Sequence, residues 1–358
     1  MRKRSRAVIL KTMSKMLDEI REQPAVLERT LQAERKSIEQ LRALLARQMP
    51  RLIMLVARGT SDNAAQFGRY LLEITTGIPV TLAAPSIFTL YNAPFRFDGV
   101  LVIAISQSGE STDTNLVLER ARQQGARTIG ITNEASSALA RLAEHPFMVH
   151  GGREQSVAAT KTYTGQLLVL YMLAYALGAN IALDDLARLP EWTSRALALE
   201  PEVARRAERY RFMDHAVVVG RGLNYANAFE FALKLMETCY VVAERFSSAD
   251  FLHGPIAMVD PSFPAFLFAP SGVTWPGIHE MIEKLAKLKA ETLVITDKSN
   301  AEALALGDHA IALPISLDEL LTPIPYIVPA QLFSAFLAEE KGFNPDQPRT
   351  LSKVTRTL

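Results

Sequence analysis

The chain has a single cysteine, Cys239, among 358 residues. A disulfide framework is therefore excluded, and the composition suits a reducing compartment such as the cytoplasm. The six histidines are scattered and show no zinc-ligand spacing, so no metal site is expected. Charge of one sign is not in excess either. A formal net charge of +1 gives no global drive toward nucleic acid or an acidic membrane surface. No apolar run approaches the ~18–20 residues of a membrane span. Met1-Arg2-Lys3-Arg4-Ser5-Arg6 is basic, but no adequate apolar core follows it for a secretory signal, and it is too short to be a DNA-binding motif. The P-loop lysine and the Gly-x-Gly-x-x-Gly fingerprint of nucleotide sites are missing as well.

What the chain does contain is a repeat. Val56-Ala57-Arg58-Gly59 matches Val219-Gly220-Arg221-Gly222, and Ser108-Gly109 matches Ser271-Gly272 in the same register. Thr128-Ile129-Gly130-Ile131-Thr132-Asn133 matches Thr292-Leu293-Val294-Ile295-Thr296-Asp297 one residue further on. A self-match at a fixed offset marks a duplicated unit. Each half alternates short apolar runs with amphipathic stretches. Strands are expected near 51–58, 79–84, 100–105, 127–132 and 146–150, and again near 215–220, 264–269, 291–296 and 309–314. Such runs imply parallel sheets with helices on both faces. The expected division is a helical segment 1–48, a first α/β domain 49–184, a helical connector 185–212, a second α/β domain 213–345 and a tail 346–358. In the first segment Met13, Met16, Leu17 and Ile20 follow helical spacing, Pro24 interrupts, and Leu27 to Arg47 is amphipathic. That segment either packs only on the first domain or also meets a partner subunit.

Ligands in parallel sheets sit at the carboxyl ends of the strands. The run Val100–Ile105 ends in Ser106-Gln107-Ser108-Gly109-Glu110-Ser111-Thr112, and a helix-like stretch follows. Free N–H groups and the positive end of a helix dipole then point into a hydroxyl-rich turn, which suits an anion such as phosphate. In the second copy the turn is Pro270-Ser271-Gly272-Val273-Thr274 and has lost most of its hydroxyls. Arg58-Gly59-Thr60-Ser61-Asp62-Asn63 is either a helix cap or a second wall of the same pocket. Glu154 to Thr164 is a polar loop, capped at Thr160 or Thr162, whose small Ala158 and Ala159 allow close approach to a ligand. Glu230, Lys234 and Glu237 fall on one helix face among apolar neighbours. There an apolar environment raises a carboxylate pKa and a lysine lowers it, which suits a general base near neutral pH. His253, before Gly254-Pro255, is a candidate acid or base in a rigid turn. Lys353 in the tail could form a Schiff base if its pKa were depressed.

Taken together, these segments resemble the isomerase part of glucosamine-6-phosphate synthase and its relatives in the sugar isomerase (SIS) family, from about Met16 to Lys353. The resemblance is carried by Gly59-Thr60-Ser61, Ser106 to Ser111, Val157-Ala158-Ala159-Thr160-Lys161, Ala232 to Glu237, His253-Gly254-Pro255 and Pro348-Arg349 through Lys353. It implies two flavodoxin-like SIS domains, usually a homodimer, and no metal or organic cofactor. It implies that Ser106, Gln107, Ser108 and Ser111 hold the phosphate of an amino sugar, with Ser61, Val157 and Ala159 lining the pocket. Glu237 would move a proton between carbons 1 and 2, Lys234 would support it, and His253 would assist ring opening from the neighbouring subunit. Lys353 would sit in a tail that closes over the sugar. Two departures stand out: no glutamine-hydrolysing domain is present in the sequence, and Ala159 replaces a serine. Both favour a stand-alone glucosamine-6-phosphate deaminase. The alternatives are the isomerase unit of glutamine–fructose-6-phosphate aminotransferase, a fructosamine-phosphate deglycase, and a non-enzymatic sugar-phosphate sensor.

Overall fold

The computed structural model describes residues 14–351 and Lys353. Met13, the basic Met1–Arg6 stretch, Ser352 and residues 354–358 lie outside the described residues, so the readings made on them have no structural counterpart here. Two helices open the described chain, α1 (Lys15–Arg21) and α2 (Gln23–Leu45). Pro24 falls in the first turn of α2, where its missing N–H costs nothing. The interruption read from the sequence is thus a helix start.

The first sheet comprises β1 (Leu52–Val56), β2 (Val80–Leu82), β3 (Val100–Ile105), β4 (Arg127–Thr132) and β5 (His145–Met148). The second comprises β6 (His215–Gly220), β7 (Val242–Ser247), β8 (Pro264–Phe268), β9 (Glu291–Asp297) and β10 (His309–Leu313). Their orders are β2-β1-β3-β4-β5 and β10-β9-β8-β6-β7, with all pairings parallel. Counted within each half, both are 2-1-3-4-5, the flavodoxin-like order. The chain is therefore two tandem flavodoxin-like domains, each a parallel sheet flanked by helices.

Strand β7 was not expected. Its sequence, Val-Ala-Glu-Arg-Phe-Ser, carries charges, and it pairs only with β6 at the sheet edge. An edge strand exposed on one side does not need the continuous apolar run of a central one. Central β3, by contrast, is buried at all of its positions. Leu101, Ile103 and Ile105 join one core, while Val100, Val102 and Ala104 join another on the opposite face. This is the two-residue period of a strand covered on both sides. In β8, Phe266 and Phe268 join the same core as Leu101 and Ile103, so one core runs through both domains. Its centre includes two helices that are apolar all round, Lys161–Ala176 and Pro323–Glu340, as expected of helices enclosed by protein. The connector consists of three short helices, Leu183–Leu186, Leu189–Leu197 and Glu200–Arg209.

The two copies differ at the turn after the third strand. In the second domain the Glu319 carboxylate accepts from the Thr274 N–H at 3.2 Å and its hydroxyl at 2.5 Å. A Cβ on Gly272 would lie 2.2 Å from the same carboxylate. An internal anion already fills this turn, whereas the first-domain turn is open.

Candidate active site

The carboxyl edge of the first sheet faces a helix of the second domain, Tyr225–Cys239, across a cleft of about 360 Å³. Ser61, Ser106, Gln107, Ser108, Ser111, Val157, Ala159, Glu237 and Lys353 all line it. Sequence reasoning selected these residues from five separate segments, and the fold gathers them. Lys234 lies directly behind Glu237. His253 is not in the cleft of this chain. It caps the helix Ser248–Leu252, is exposed, and is followed by Gly254 at φ +147.

The anion turn begins where β3 ends. Gly109 has φ +66, and a Cβ there would meet the Ser137 Oγ at 2.2 Å, so the turn requires glycine. The helix Thr112–Gln123 starts directly after it. Hydrogen-bond direction sorts the hydroxyls. Ser106 Oγ accepts from the Gly109 N–H at 3.1 Å and Ser108 Oγ from the Glu110 N–H at 3.3 Å. Ser61 Oγ accepts from Gln166 Nε2 at 3.0 Å. Each of these keeps its own proton to donate to an anion. Ser111 Oγ instead donates to Asp113 Oδ1 at 2.8 Å. Gln166 is buried, yet its Oε1 has no partner among the described residues. A buried acceptor left open beside a cleft fits a site that completes itself with a ligand or water.

Across the cleft, Lys234 is completely buried, with Nζ 2.6 Å from Glu237 Oε2 and 3.4 Å from Glu230 Oε1. Burial works against its charge, but the two carboxylates outweigh this and hold its pKa above the ordinary lysine value. Burial pushes Glu230 up to about 7, against the pull of Lys234 and of Asn63 Nδ2 at 2.7 Å. Thr60 Oγ1 accepts from Lys234 at 3.1 Å and donates to Glu230 at 3.3 Å. Glu237 keeps 23% of its side-chain exposure. It is the member of the trio that faces the cleft.

A second buried carboxylate, Glu154, lies in the polar loop. Glu154 accepts from the Thr160 N–H at 2.9 Å, the Thr162 N–H at 3.2 Å and the Thr162 hydroxyl at 2.8 Å. It thereby fixes the start of the helix Lys161–Ala176. Its burial would raise its pKa, but Lys353 and these donors hold it below the usual value. Lys353 Nζ donates to Glu154 Oε2 at 2.9 Å and to the Ser156 carbonyl at 2.7 Å. The tail is held at two further points. Arg349 lies over the Tyr240 ring at 4.3 Å. Asp346 caps α1, accepting from Ser14 Oγ and from the N–H groups of Lys15 and Met16. From α1, Glu19 reaches the backbone N–H groups of Gln155 and Ser156, and burial pushes it up to about 7. No local pattern announces Glu154 or Glu19. Each depends on contacts more than 100 residues away in sequence.

No cluster of metal-ligating side chains occurs among the described residues. The buried Cys239 thiol is pushed up to about 12 by burial, far from a reactive thiolate. No helix among the described residues is long and apolar enough to cross a membrane.

The SIS domain model matches residues 48–176 and 211–338. Glutamine–fructose-6-phosphate aminotransferase [isomerizing] of Methanothermobacter thermautotrophicus is 37% identical over 301 residues, covering 84% of this chain and 51% of that protein. The chain thus spans about half the length of the curated relatives it matches. Among solved structures, the C-terminal domain of glucosamine-fructose-6-phosphate aminotransferase from Francisella tularensis superposes with a TM-score of 0.85 at 28% identity, over 93% of this chain and 98% of that one. A glucosamine-6-phosphate deaminase from Thermotoga maritima gives 0.79 at 24% identity, over 96% and 100%. At that identity the likeness concerns the fold alone.

Proposed function

We propose, for a chain that belongs to the SIS-domain family, an aldose–ketose isomerisation at carbons 1 and 2 of a hexose 6-phosphate bearing nitrogen at carbon 2. Its placement among the phosphosugar isomerases and deaminases of this family rests on the family match and the aminotransferase relatives. The observation that carries the finer reading is the opposition of Glu237 to the hydroxyl turn across one cleft. The phosphate binds where Ser106 and Ser108 donate, and Glu237 moves the proton between the two carbons. Lys234, charged and 2.6 Å away, orients Glu237 and offsets charge developing on the sugar oxygen. Lys353 lines the same cleft. To attack a ketose carbonyl, its amine must leave Glu154 and give up a proton.

The relatives favour the isomerase unit of a glutamine–fructose-6-phosphate aminotransferase. A second reading, glucosamine-6-phosphate deaminase, is favoured by one observation: Ala159, which carries no hydroxyl, stands in the cleft wall. In both readings the substrate is a phosphorylated amino sugar. The chain works as a homodimer in which the exposed His253 reaches its partner's cleft, in a cytoplasmic setting. The test supplies purified protein with glucosamine 6-phosphate and follows ammonia, fructose 6-phosphate and hydrogen exchange at carbons 1 and 2. Stoichiometric ammonia supports the deaminase. Exchange without ammonia supports the isomerase unit. Neither reaction would overturn both.

A further inference from the structure

Among the described residues, three cationic side chains stand at or directly behind the cleft wall, and two are committed to carboxylates: Lys234 to Glu230 and Glu237, and Lys353 to Glu154. The third is Arg58, at the end of β1. Its side chain is 52% exposed, and Nε donates to Asp113 Oδ2 at 2.6 Å, a carboxylate with only 2% exposure. This contact orients the guanidinium, while Nη1 and Nη2 have no hydrogen-bond partner among the described residues. Asp113 also takes the Ser111 proton, and the other oxygen in reach of that hydroxyl is Thr114 Oγ1 at 3.0 Å. Ser111 has one proton to give, so in this arrangement it offers the cleft only lone pairs. The turn is therefore one donor short at the end nearest Arg58.

We propose that Arg58 is a ligand-binding residue of this site, meeting the phosphate group of the substrate with its free guanidinium edge, and that Asp113 is its positioning residue. The proposal deepens the phosphosugar reading and rests on it. A phosphate monoester carries a charge of about −1.5 to −2 near pH 7. Hydroxyls are neutral, and a helix N-terminus contributes only about half a positive charge. A guanidinium supplies a full charge in a fork that matches phosphate geometry. Asp62, in the first turn of the helix Thr60–Thr76, is another carboxylate within electrostatic reach of Arg58. Arg58 thus stands between the buried Asp113 carboxylate, which orients it, and an open cleft.

The test measures inorganic phosphate binding by calorimetry, and phosphosugar KM and kcat, for the wild-type chain and for R58Q, R58K and R58Q/D113N. The double variant removes both charges, so no buried carboxylate is stranded if R58Q folds poorly. R58Q and the double variant are expected to weaken phosphate binding about tenfold or more. KM should rise by more than kcat falls, and the loss should shrink at high ionic strength. R58K should recover part of it. Wild-type binding of phosphate with R58Q and the double variant both within about twofold of it would overturn this inference alone. A wild-type chain that binds neither phosphate nor phosphosugar would overturn the phosphosugar reading, and this inference with it.

Discussion

Lys353 Nζ lies 2.9 Å from Glu154 Oε2, a carboxylate whose side chain has no exposure, across 199 residues of sequence. The pair ties the tail to the loop that starts the helix Lys161–Ala176. Removing one partner of such a pair strands the other, or leaves its hydrogen-bond donors unmet. Glu154→Ala is expected to destabilise the fold by about 3–5 kcal/mol, read by urea unfolding. Glu154→Gln, which keeps an acceptor for Thr160 and Thr162, should cost less.

The carboxylates also set the response to pH, with opposite signs. Glu154 is held below its ordinary 4.5. Its contribution to stability is present above that value and is lost as the pH falls through its lower folded-state value. Glu19 is raised from 4.5 to about 7, so between those values the folded chain holds a proton that the unfolded chain has released. Its contribution is complete below 4.5 and is lost as the pH rises to about 7. Glu19→Gln, neutral at every pH, should flatten the fall in stability between pH ~5 and ~8. An unchanged slope in unfolding experiments would show that Glu19 is not raised.

Glu237→Gln keeps the side-chain shape and removes the base. Turnover should fall by about 10²–10⁴, together with hydrogen exchange into the substrate from D₂O, while phosphosugar affinity persists. Normal turnover would remove Glu237 from its proposed role.

Lys234→Ala would leave Glu230 buried beside Asn63 and Thr60 without its cation. A loss of about 3–5 kcal/mol is expected, with activity lost as well. Replacing both groups with apolar residues, as in Glu230→Leu with Lys234→Met, should restore much of the stability but none of the activity. Thermal melting and turnover, measured together, separate the two effects.

Much of this could be read along the chain. The repeat, the alternation of apolar runs with helices and the hydroxyl turn after β3 are local patterns. Each follows from a fixed period or from the needs of one helix end. Strand β7 escaped because Glu244 and Arg245 break the apolar run at a sheet edge. Gly109, Ser106 and Ser108 could be found because a turn that offers donors must use such residues whatever surrounds it.

The sequence alone singled out the segments proposed to carry chemistry: the turn Ser106–Ser111, the Glu230-Lys234-Glu237 face and, through the family resemblance, the tail with Lys353. Tertiary structure decided how they are arranged. Only packing shows that Glu230 and Lys234 are wholly buried while Glu237 keeps access to the cleft, because burial depends on what the rest of the chain places over a helix face. Only packing fills the second-domain turn with Glu319 and leaves the first one open. It likewise pairs Lys353 with Glu154 and Arg58 with Asp113. Charge pairing between distant segments has no period and no spacing, so it becomes visible only when the fold brings the partners together.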